Sequence, residues 1–318
     1  MNEEKVENID LKKIKPGISH FWLKVVTNIF GNDIKIPLMV AKGKKKGPVF
    51  GITALVHGDE LNGLSVIQKV FDRLDLENLK GTIIASPIIN VPGFLARKRE
   101  FSDGRDLNHK FPGKEKGGES VIYAFNIFQR LIINFDYLLD LHTARFGNVN
   151  SYYLRANLKE KKIEELSNLL NAEIILNCEG GKGTLRRQAY ENKITAITLE
   201  LGDPNKFQKE MISDSTQGLM NCLISLGMQP GKIILNKEKP IICNSSKRIH
   251  TEIGGILEVL PEQGDVIKKG EKIAIVKNVF GKIIEEYFSP DDGVVIGKNI
   301  NPVNHAGSRI VHMGKIKN

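Results

Sequence analysis

The chain has 318 residues, 41% of them hydrophobic and 26% charged, which is typical of a globular protein with one large or two unequal domains. Its net charge of +9 is spread thinly, and we interpret the one dense basic run, residues 42–46, as a solvated turn without any signature of a nucleic-acid-binding module. No apolar run approaches the roughly 20 residues of a spanning helix, the first residues are too polar for a secretory signal, and three scattered cysteines exclude a disulfide framework or cysteine-based zinc site. We therefore expect a cytoplasmic protein that binds neither nucleic acid nor membrane.

Strand and helix patterns alternate through the first 235 residues, after a terminus that looks loose up to about residue 10. Strand patterns cover residues 18–30, 34–41, 48–57, 81–89, 135–143, 150–156, 173–177 and 193–201. Helical patterns cover residues 60–76, 119–134, 158–171, 184–191 and 207–226. The polar segment 90–118 reads as a structureless loop, and a loop of that length in a compact domain is usually functional.

This alternation predicts the α/β fold class, a mostly parallel mixed sheet flanked by helices. The alternation of strand and helix patterns stops near residue 230, and only short strand patterns separated by turns follow. They cover residues 249–253, 255–259, 272–278, 281–289, 293–296 and 309–312. We expect a catalytic domain over residues 1–235 and a small all-β C-terminal domain over residues 240–318.

Two of the predicted strands end on a histidine, at His57 and at His142, and Glu60 follows the first of them closely. Ligands of open α/β sheets bind at the carboxyl ends of strands. Two histidines and one carboxylate form a three-ligand set that leaves a fourth zinc position open, as catalytic zinc sites do. The alternative for His57 and Glu60 is an exposed loop histidine beside a glutamate that favours a helix N-terminus.

A hydrolytic zinc site also needs a base, a cation for the developing oxyanion, and a group that holds the substrate. Glu200 is the candidate base, because it ends an apolar strand where a raised carboxyl pKa would suit proton transfer; an ion pair is the equally weighted alternative. Arg99 is the candidate for the oxyanion, although Arg97 and Arg105 compete for that role. Asn108 either binds the substrate or forms a turn.

Six short motifs carry a family resemblance, and their order and spacing agree through most of residues 20–315. They are His-Gly-Asp-Glu at 57–60, Asn-Val-Pro-Gly-Phe at 90–94, Asp-Gly-Arg-Asp-Leu-Asn at 103–108, Phe-Pro-Gly at 111–113, Asp-Leu-His-Thr at 140–143 and Leu-Glu-Leu-Gly at 199–202. Together they resemble the succinylglutamate desuccinylase/aspartoacylase family, which is related to the zinc carboxypeptidases. The resemblance implies a zinc carboxypeptidase-like fold whose C-terminal β domain partly covers the mouth of the active site.

The resemblance also implies one Zn²⁺ per chain, bound by His57, Glu60 and His142. It implies that Glu200 is the catalytic acid and base and that Arg99 polarises the substrate carbonyl.

The resemblance places Asn108 and its neighbour, which is His109 here, at the substrate carboxylate, and Arg105 is a further candidate for substrate binding. The family usually has arginine where this chain has His109, so a bidentate carboxylate clamp becomes a weaker and pH-dependent donor. Other arginines are candidates to replace the missing clamp: Arg145, Arg155 and Arg187.

These observations predict a zinc-dependent hydrolase that cleaves the amide bond of a small N-acylated amino acid or similar amide. A metallocarboxypeptidase that acts on peptides is the first alternative, and a non-catalytic ligand-binding member of the fold is the second. The expected partner is a small-molecule substrate, with an isologous homodimer as the commonest default assembly.

Overall fold

The computed structural model describes residues 3–317, and its first 235 residues contain alternating strands and helices. The strands are β1 Glu3–Val6, β2 Gly17–Thr27, β3 Asp33–Lys42, β4 Lys45–Ala54, β5 Lys80–Ser86, β6 Tyr137–His142, β7 Asn148–Asn150, β8 Tyr152–Ala156, β9 Ile174–Asn177 and β10 Thr195–Leu201. The helices are α1 Asn62–Asp72, α2 Val91–Ala96, α3 Glu119–Arg130, α4 Lys161–Ser167, α5 Leu185–Glu191 and α6 Lys209–Ser225, with short 3-10 helices at Leu107–His109 and Ile132–Asn134.

The described residues form one fourteen-stranded mixed sheet, whose order along the main path is β1-β2-β3-β5-β4-β6-β10-β8-β9 before it continues into the C-terminal strands. Its centre is parallel: β5, β4, β6 and β10 are neighbours that run in the same direction. The predicted mostly parallel mixed sheet is therefore confirmed. Parallel neighbours have their carboxyl ends at one edge, which is where the site residues gather.

Helices cover both faces of this sheet, because its central strands are apolar on both sides. Consecutive residues of β6 show the division: Leu139 packs in the core with α1, α4 and α6, whereas Leu138 packs in the core with α3 and α5. Within residues 3–317, no helix is both long and apolar enough to cross a membrane.

The C-terminal region is rich in antiparallel strands, as predicted. Its strands are β11 Ile241–His250, β12 Gly255–Val259, β13 Val266–Ile267, β14 Lys272–Lys277, β15 Ile283–Phe288, β16 Gly293–Asn299, β17 Val303–Asn304 and β18 Arg309–Ile316. Strands β11, β18, β16 and β13 extend the large sheet, and β15, β14, β12 and β17 form a second, four-stranded sheet. The division into domains 1–235 and 240–318 stays a prediction, since β11 pairs with β9 across that boundary.

Two local predictions were wrong. The terminus is not loose at residues 3–6, because β1 pairs in parallel with β2; Met1 and Asn2 lie outside the described residues. The segment 90–118 is not structureless, because α2 and a 3-10 helix interrupt it. Asn90 caps α2 by accepting a hydrogen bond from the Gly93 backbone N–H, and a proline in the first turn favours that helix start.

Candidate active site

The carboxyl edge of the parallel strands brings the predicted metal ligands together. His57 and Glu60 lie in the connection between β4 and α1, and His142 is the last residue of the neighbouring strand β6. In the register of this pair, Ala54 of β4 lies beside Leu141 of β6, so the two strands end side by side. The three side chains are buried, which contradicts the alternative of an exposed loop histidine.

The three side chains converge on one point. The Nδ1 atoms of His57 and His142 are 3.2 Å apart, and each lies 2.8 Å from a different carboxylate oxygen of Glu60. All three ligand atoms lie within 4.8 Å of one another. Ligand atoms about 2.0–2.1 Å from a shared tetrahedral ion are separated by little more than 3 Å, so this cluster could hold a metal ion.

A second carboxylate orients each imidazole. The Nε2 atom of His57 lies 3.0 Å from Oδ1 of Asp106, and the Nε2 atom of His142 lies 2.8 Å from Oδ2 of Asp140. When Nε2 donates its proton to a carboxylate, the lone pair of Nδ1 is directed at the point where the ligands converge. Both aspartates belong to motifs that carry the family resemblance, but their orienting role was not predicted, although Asp140 stands two positions before His142 on one strand and therefore faces the same side.

The electrostatics of the cluster also fit a cation. Burial alone would lower the pKa of each histidine, but Glu60 and Asp106 raise that of His57, and Asp140 and Glu60 raise that of His142 well above its usual range. Burial alone would raise the pKa of Glu60, but the two histidines hold it far below its usual range. The donor set therefore favours positive charge at its centre, which a divalent metal ion supplies.

Arg99 lies directly beside this cluster. Its Nη1 atom is 2.7 Å from Oε1 of Glu60, and its Nη2 atom is 3.1 Å from Oδ2 of Asp106. A guanidinium has five N–H donors, so these two contacts leave donors for a substrate oxygen. Neither Arg97 nor Arg105, its two competitors from the sequence, belongs to the described lining of the cavity.

Glu200 lies on the same wall, next to the cluster of His57, Glu60 and His142. Strands β10 and β6 place it beside His142 in their parallel register. Its surroundings are polar, which corrects the expectation of an apolar setting: Oε1 lies 3.1 Å from Nε of Arg155, and Oε2 accepts a hydrogen bond of 3.4 Å from Asn150. The ion pair that the sequence left open is present, and the carboxylate still faces the cavity.

The predicted substrate-binding residues occupy different places. Asn108 lines the cavity, but its Oδ1 atom accepts a hydrogen bond from the backbone N–H of Leu185 and fixes the loop to α5. His109 lines the cavity with an exposed side chain. Arg105 is exposed and lies outside the described lining, so the structure does not support its assignment to substrate binding.

The cavity has a volume of about 630 Å³, within the range of small-molecule sites. Its described lining is notably rich in arginine, with contributions from both parts of the chain: Arg99, Arg145, Arg155, Arg186, Arg248 and Arg309. Two of the proposed replacements for the missing clamp, Arg145 and Arg155, are thus in the cavity. The third, Arg187, instead pairs with Glu179 and Glu191.

Comparison with known proteins connects this geometry to one group of enzymes. A family model described as the succinylglutamate desuccinylase/aspartoacylase catalytic domain matches residues 46–226. The chain is 27% identical over 320 residues to an N-alpha-acetyl-L-2,4-diaminobutyric acid deacetylase of Halomonas elongata, covering 94% of this chain and 92% of that protein.

Two solved structures have the same fold. The product-bound ectoine utilization protein EutE (DoeB) of Ruegeria pomeroyi aligns with a TM-score of 0.87 and 23% identity, covering 95% of this chain and 96% of that one. A succinylglutamate desuccinylase/aspartoacylase of Rhodobacter sphaeroides aligns with a TM-score of 0.86 and 20% identity, covering 98% of each chain. At these identities the similarity concerns the fold.

Proposed function

The chain belongs to the succinylglutamate desuccinylase/aspartoacylase family, and from that premise we propose that it is a zinc-dependent amidohydrolase. Its substrate is a small N-acylated amino acid, from which it removes the acyl group. It cleaves the carbon–nitrogen bond of an amide, and this amide is not a peptide bond.

One observation carries this proposal. His57, Glu60 and His142 direct three ligand atoms at one point, and Glu200 faces the same cavity from the adjacent strand. Two histidines and a carboxylate are a common ligand set of catalytic zinc, and a nearby carboxylate is the usual proton carrier of such sites. A purely structural zinc site would have four protein ligands and would not need a cavity.

Zinc in this position would polarise the acyl carbonyl and make a water molecule more acidic. The other steps belong to the protein. Glu200 takes a proton from the attacking water while the water oxygen bonds to the acyl carbon. Glu200 then gives that proton to the leaving nitrogen as the C–N bond breaks. The remaining N–H donors of Arg99 stabilise the charge that develops on the carbonyl oxygen.

The cavity and the relative both support a small substrate. About 630 Å³ accommodates a molecule of the size of an N-acyl amino acid. The similarity to an enzyme named as a deacetylase of an N-acetylated amino acid supports the same class of substrate here.

The cysteines of the described residues are free, which supports a reducing compartment such as the cytoplasm.

The test is to purify the protein, measure its metal content, and assay N-acetyl and N-succinyl amino acids before and after chelation. We expect one zinc per chain, activity that chelation abolishes, and recovery on adding zinc. A protein that binds no zinc, or that remains active without it, contradicts the proposal. Release of C-terminal residues from peptides in a parallel assay would favour the carboxypeptidase alternative instead.

A further inference from the structure

The carboxylate of Glu200 is held from both sides by residues of other strands. Its Oε1 atom lies 3.1 Å from Nε of Arg155 on β8, and its Oε2 atom accepts a hydrogen bond of 3.4 Å from Nδ2 of Asn150 on β7. Because each oxygen has its own partner, the carboxylate has to break a contact before it can turn. The direction in which Glu200 faces the cavity therefore depends on where Arg155 and Asn150 lie.

Arg155 is itself fixed through Tyr153, the next residue but one on β8. The Tyr153 hydroxyl accepts hydrogen bonds of 3.0 Å and 2.6 Å from Nε and Nη2 of Arg155. The ring of Tyr153 is buried and lies edge-on to the imidazole of His312 on β18, with 6.1 Å between the two ring centroids. The Nε2 atom of His312 in turn lies 2.8 Å from Oγ of Ser246 on β11. Two C-terminal strands thus hold the ring that holds Arg155.

Asn150 is fixed by a third C-terminal strand. Strand β16 lies between β7 and β18, and its Gly297 stands opposite Asn150 on one side and opposite His312 on the other. A Cβ atom on Gly297 would lie 2.3 Å from Oδ1 of Asn150 and 2.6 Å from the backbone oxygen of Val149. Glycine inside a strand often marks such a close approach. The Asn150 side chain keeps its present orientation because position 297 has no side chain.

Charge neutralisation is the simpler explanation of the contact with Arg155, since a buried carboxylate needs a partner. It does not account for Asn150, which adds no charge. In the proposed reaction Glu200 has to reach first the attacking water and then the leaving nitrogen, so the direction of its carboxylate matters as well as its charge. Contacts on both oxygens fix that direction.

We propose that Gly297 and His312 are positioning residues for the reaction: Gly297 holds Asn150 in place, His312 holds Tyr153 and with it Arg155, and these side chains aim the carboxylate of Glu200. Neither Gly297 nor His312 belongs to the described lining of the cavity, so both act through other residues. The C-terminal strands thereby contribute to proton transfer. The proposal rests on the function proposed above, which assigns that transfer to Glu200.

Gly297→Ala tests the first route from outside the cavity. The added methyl group displaces the Asn150 side chain, so we expect kcat to fall about tenfold, while KM changes by less than about threefold and one zinc per chain is retained. Gly293→Ala on the same strand is the matched control, because its Cβ would also lie 2.6 Å from a backbone oxygen, that of Gly314, and Gly293 is not in the described lining. Equal kcat in the two variants overturns this route.

A double substitution then shows whether Gly297 acts through Asn150. We expect Asn150→Ala to lower kcat about tenfold by itself, and Gly297→Ala to add less than about twofold in that background, because alanine at position 150 has no Oδ1 to displace. Losses of kcat that multiply in the double variant contradict the proposed coupling.

The second route is tested with three variants. Arg155→Lys keeps the charge but cannot make both hydrogen bonds to Tyr153, Tyr153→Phe removes their acceptor, and His312→Gln removes the ring against which Tyr153 packs. We expect each to lower kcat about tenfold, and His312→Gln to change KM by less than about threefold. If His312→Gln does not fold, Tyr153→Phe tests the same contact. Near-normal kcat in Arg155→Lys and Tyr153→Phe would show that charge alone suffices and would overturn the role of His312.

Crystal structures of the zinc-loaded variants separate this proposal from the proposed function. We expect the Glu200 carboxylate to keep its contact with Asn150 in Gly293→Ala and to move by about 1 Å or more in Gly297→Ala. If the protein hydrolyses none of the amides but shows this displacement, the proposed function fails and the positioning of Glu200 stands. If Glu200 stays in place and kcat is unchanged in Gly297→Ala, the positioning role is wrong even when the enzyme is active.

Discussion

The Nε2 atom of His142 lies 2.8 Å from the Oδ2 atom of Asp140, two residues earlier on the same strand. The other oxygen of Asp140 accepts a hydrogen bond of 2.6 Å from Thr53, its neighbour on β4. Asp140 and Thr53 are fully buried, so the carboxylate has no freedom to turn away. The imidazole is therefore held with its proton on Nε2 and its Nδ1 lone pair toward Glu60 and His57.

This relationship predicts that Asp140→Asn weakens zinc binding without unfolding the protein. An amide keeps the size of the carboxylate but loses the charge that stabilises the Nε2–H form of His142. We expect zinc affinity to fall about 10–100-fold, measured by competition with a chromophoric chelator. The control is Asp136→Asn, just before the same strand, where the side chain accepts a hydrogen bond from the Val49 backbone N–H. Equal zinc affinity in both variants would contradict the orienting role.

A different result is expected for Glu200→Gln, because Glu200 transfers protons in the proposed reaction and does not bind the metal. We expect kcat to fall by about 10²–10⁴, while the protein retains one zinc per chain. Glu179→Gln is the control, because Glu179 also lines the cavity but pairs with Lys159 and Arg187. A variant at residue 200 that loses its zinc, or keeps near-normal kcat, would show that the residue acts in another way.

The sequence was sufficient to predict that His57, Glu60 and His142 gather at one edge of the sheet, because each position follows from its own segment of the chain. Each apolar run predicts a buried strand, and the residue that ends it lies at the carboxyl edge whatever the order of the strands. His57 and His142 were thus identifiable before it was known that β4 and β6 are neighbours. The same reasoning identified Glu200 but not its ion pair with Arg155, which lies on the antiparallel strand β8.

Long-range contributions to the cavity were not predictable in this way. Arg248 and Arg309 reach it because β11 pairs with β9 and β18 pairs with β11, which continues the sheet into the C-terminal region. The residues that flank Arg248 and Arg309 in the sequence resemble those of ordinary exposed strands. Helix α2 was missed for a related reason, since Pro92 and Gly93 favour a loop reading until the cap from Asn90 is known.

Gly58 lies between His57 and Glu60 in the sequence, and we predict that it does not tolerate a side chain. A Cβ atom there would overlap the backbone of Gly93 and Phe94 at the start of α2, where the main chain cannot move aside. We expect Gly58→Ala to reduce the free energy of unfolding by about 2–3 kcal/mol in urea denaturation. Gly181→Ala is the control, because the nearest atom to its added Cβ is the Thr184 Cγ2 at 3.7 Å, an ordinary contact. A Gly58 variant as stable as this control would refute the close approach.

Asp103 anchors the active-site segment to α3, and its contribution should depend on pH. Its Oδ2 atom accepts hydrogen bonds of 3.2 Å and 2.7 Å from the backbone N–H and the hydroxyl of Ser120, in the first turn of the helix. Burial alone would raise the pKa of Asp103, but these hydrogen bonds outweigh it and lower that pKa.

A carboxyl with a lowered folded-state pKa stabilises the protein above its unfolded pKa, and that stabilisation is lost as the pH falls through the lower folded value. We therefore expect Asp103→Asn to lose roughly 0.5–1 kcal/mol at pH 7, as loss of a charged helix cap does. The difference from the unmodified protein should shrink as the pH falls below about 4, where the unfolded carboxyl takes up a proton. Urea unfolding at a series of pH values measures it, with Glu115→Gln as the control in the same segment. A difference that stays constant down to the lowest pH would show that the charge of Asp103 contributes nothing.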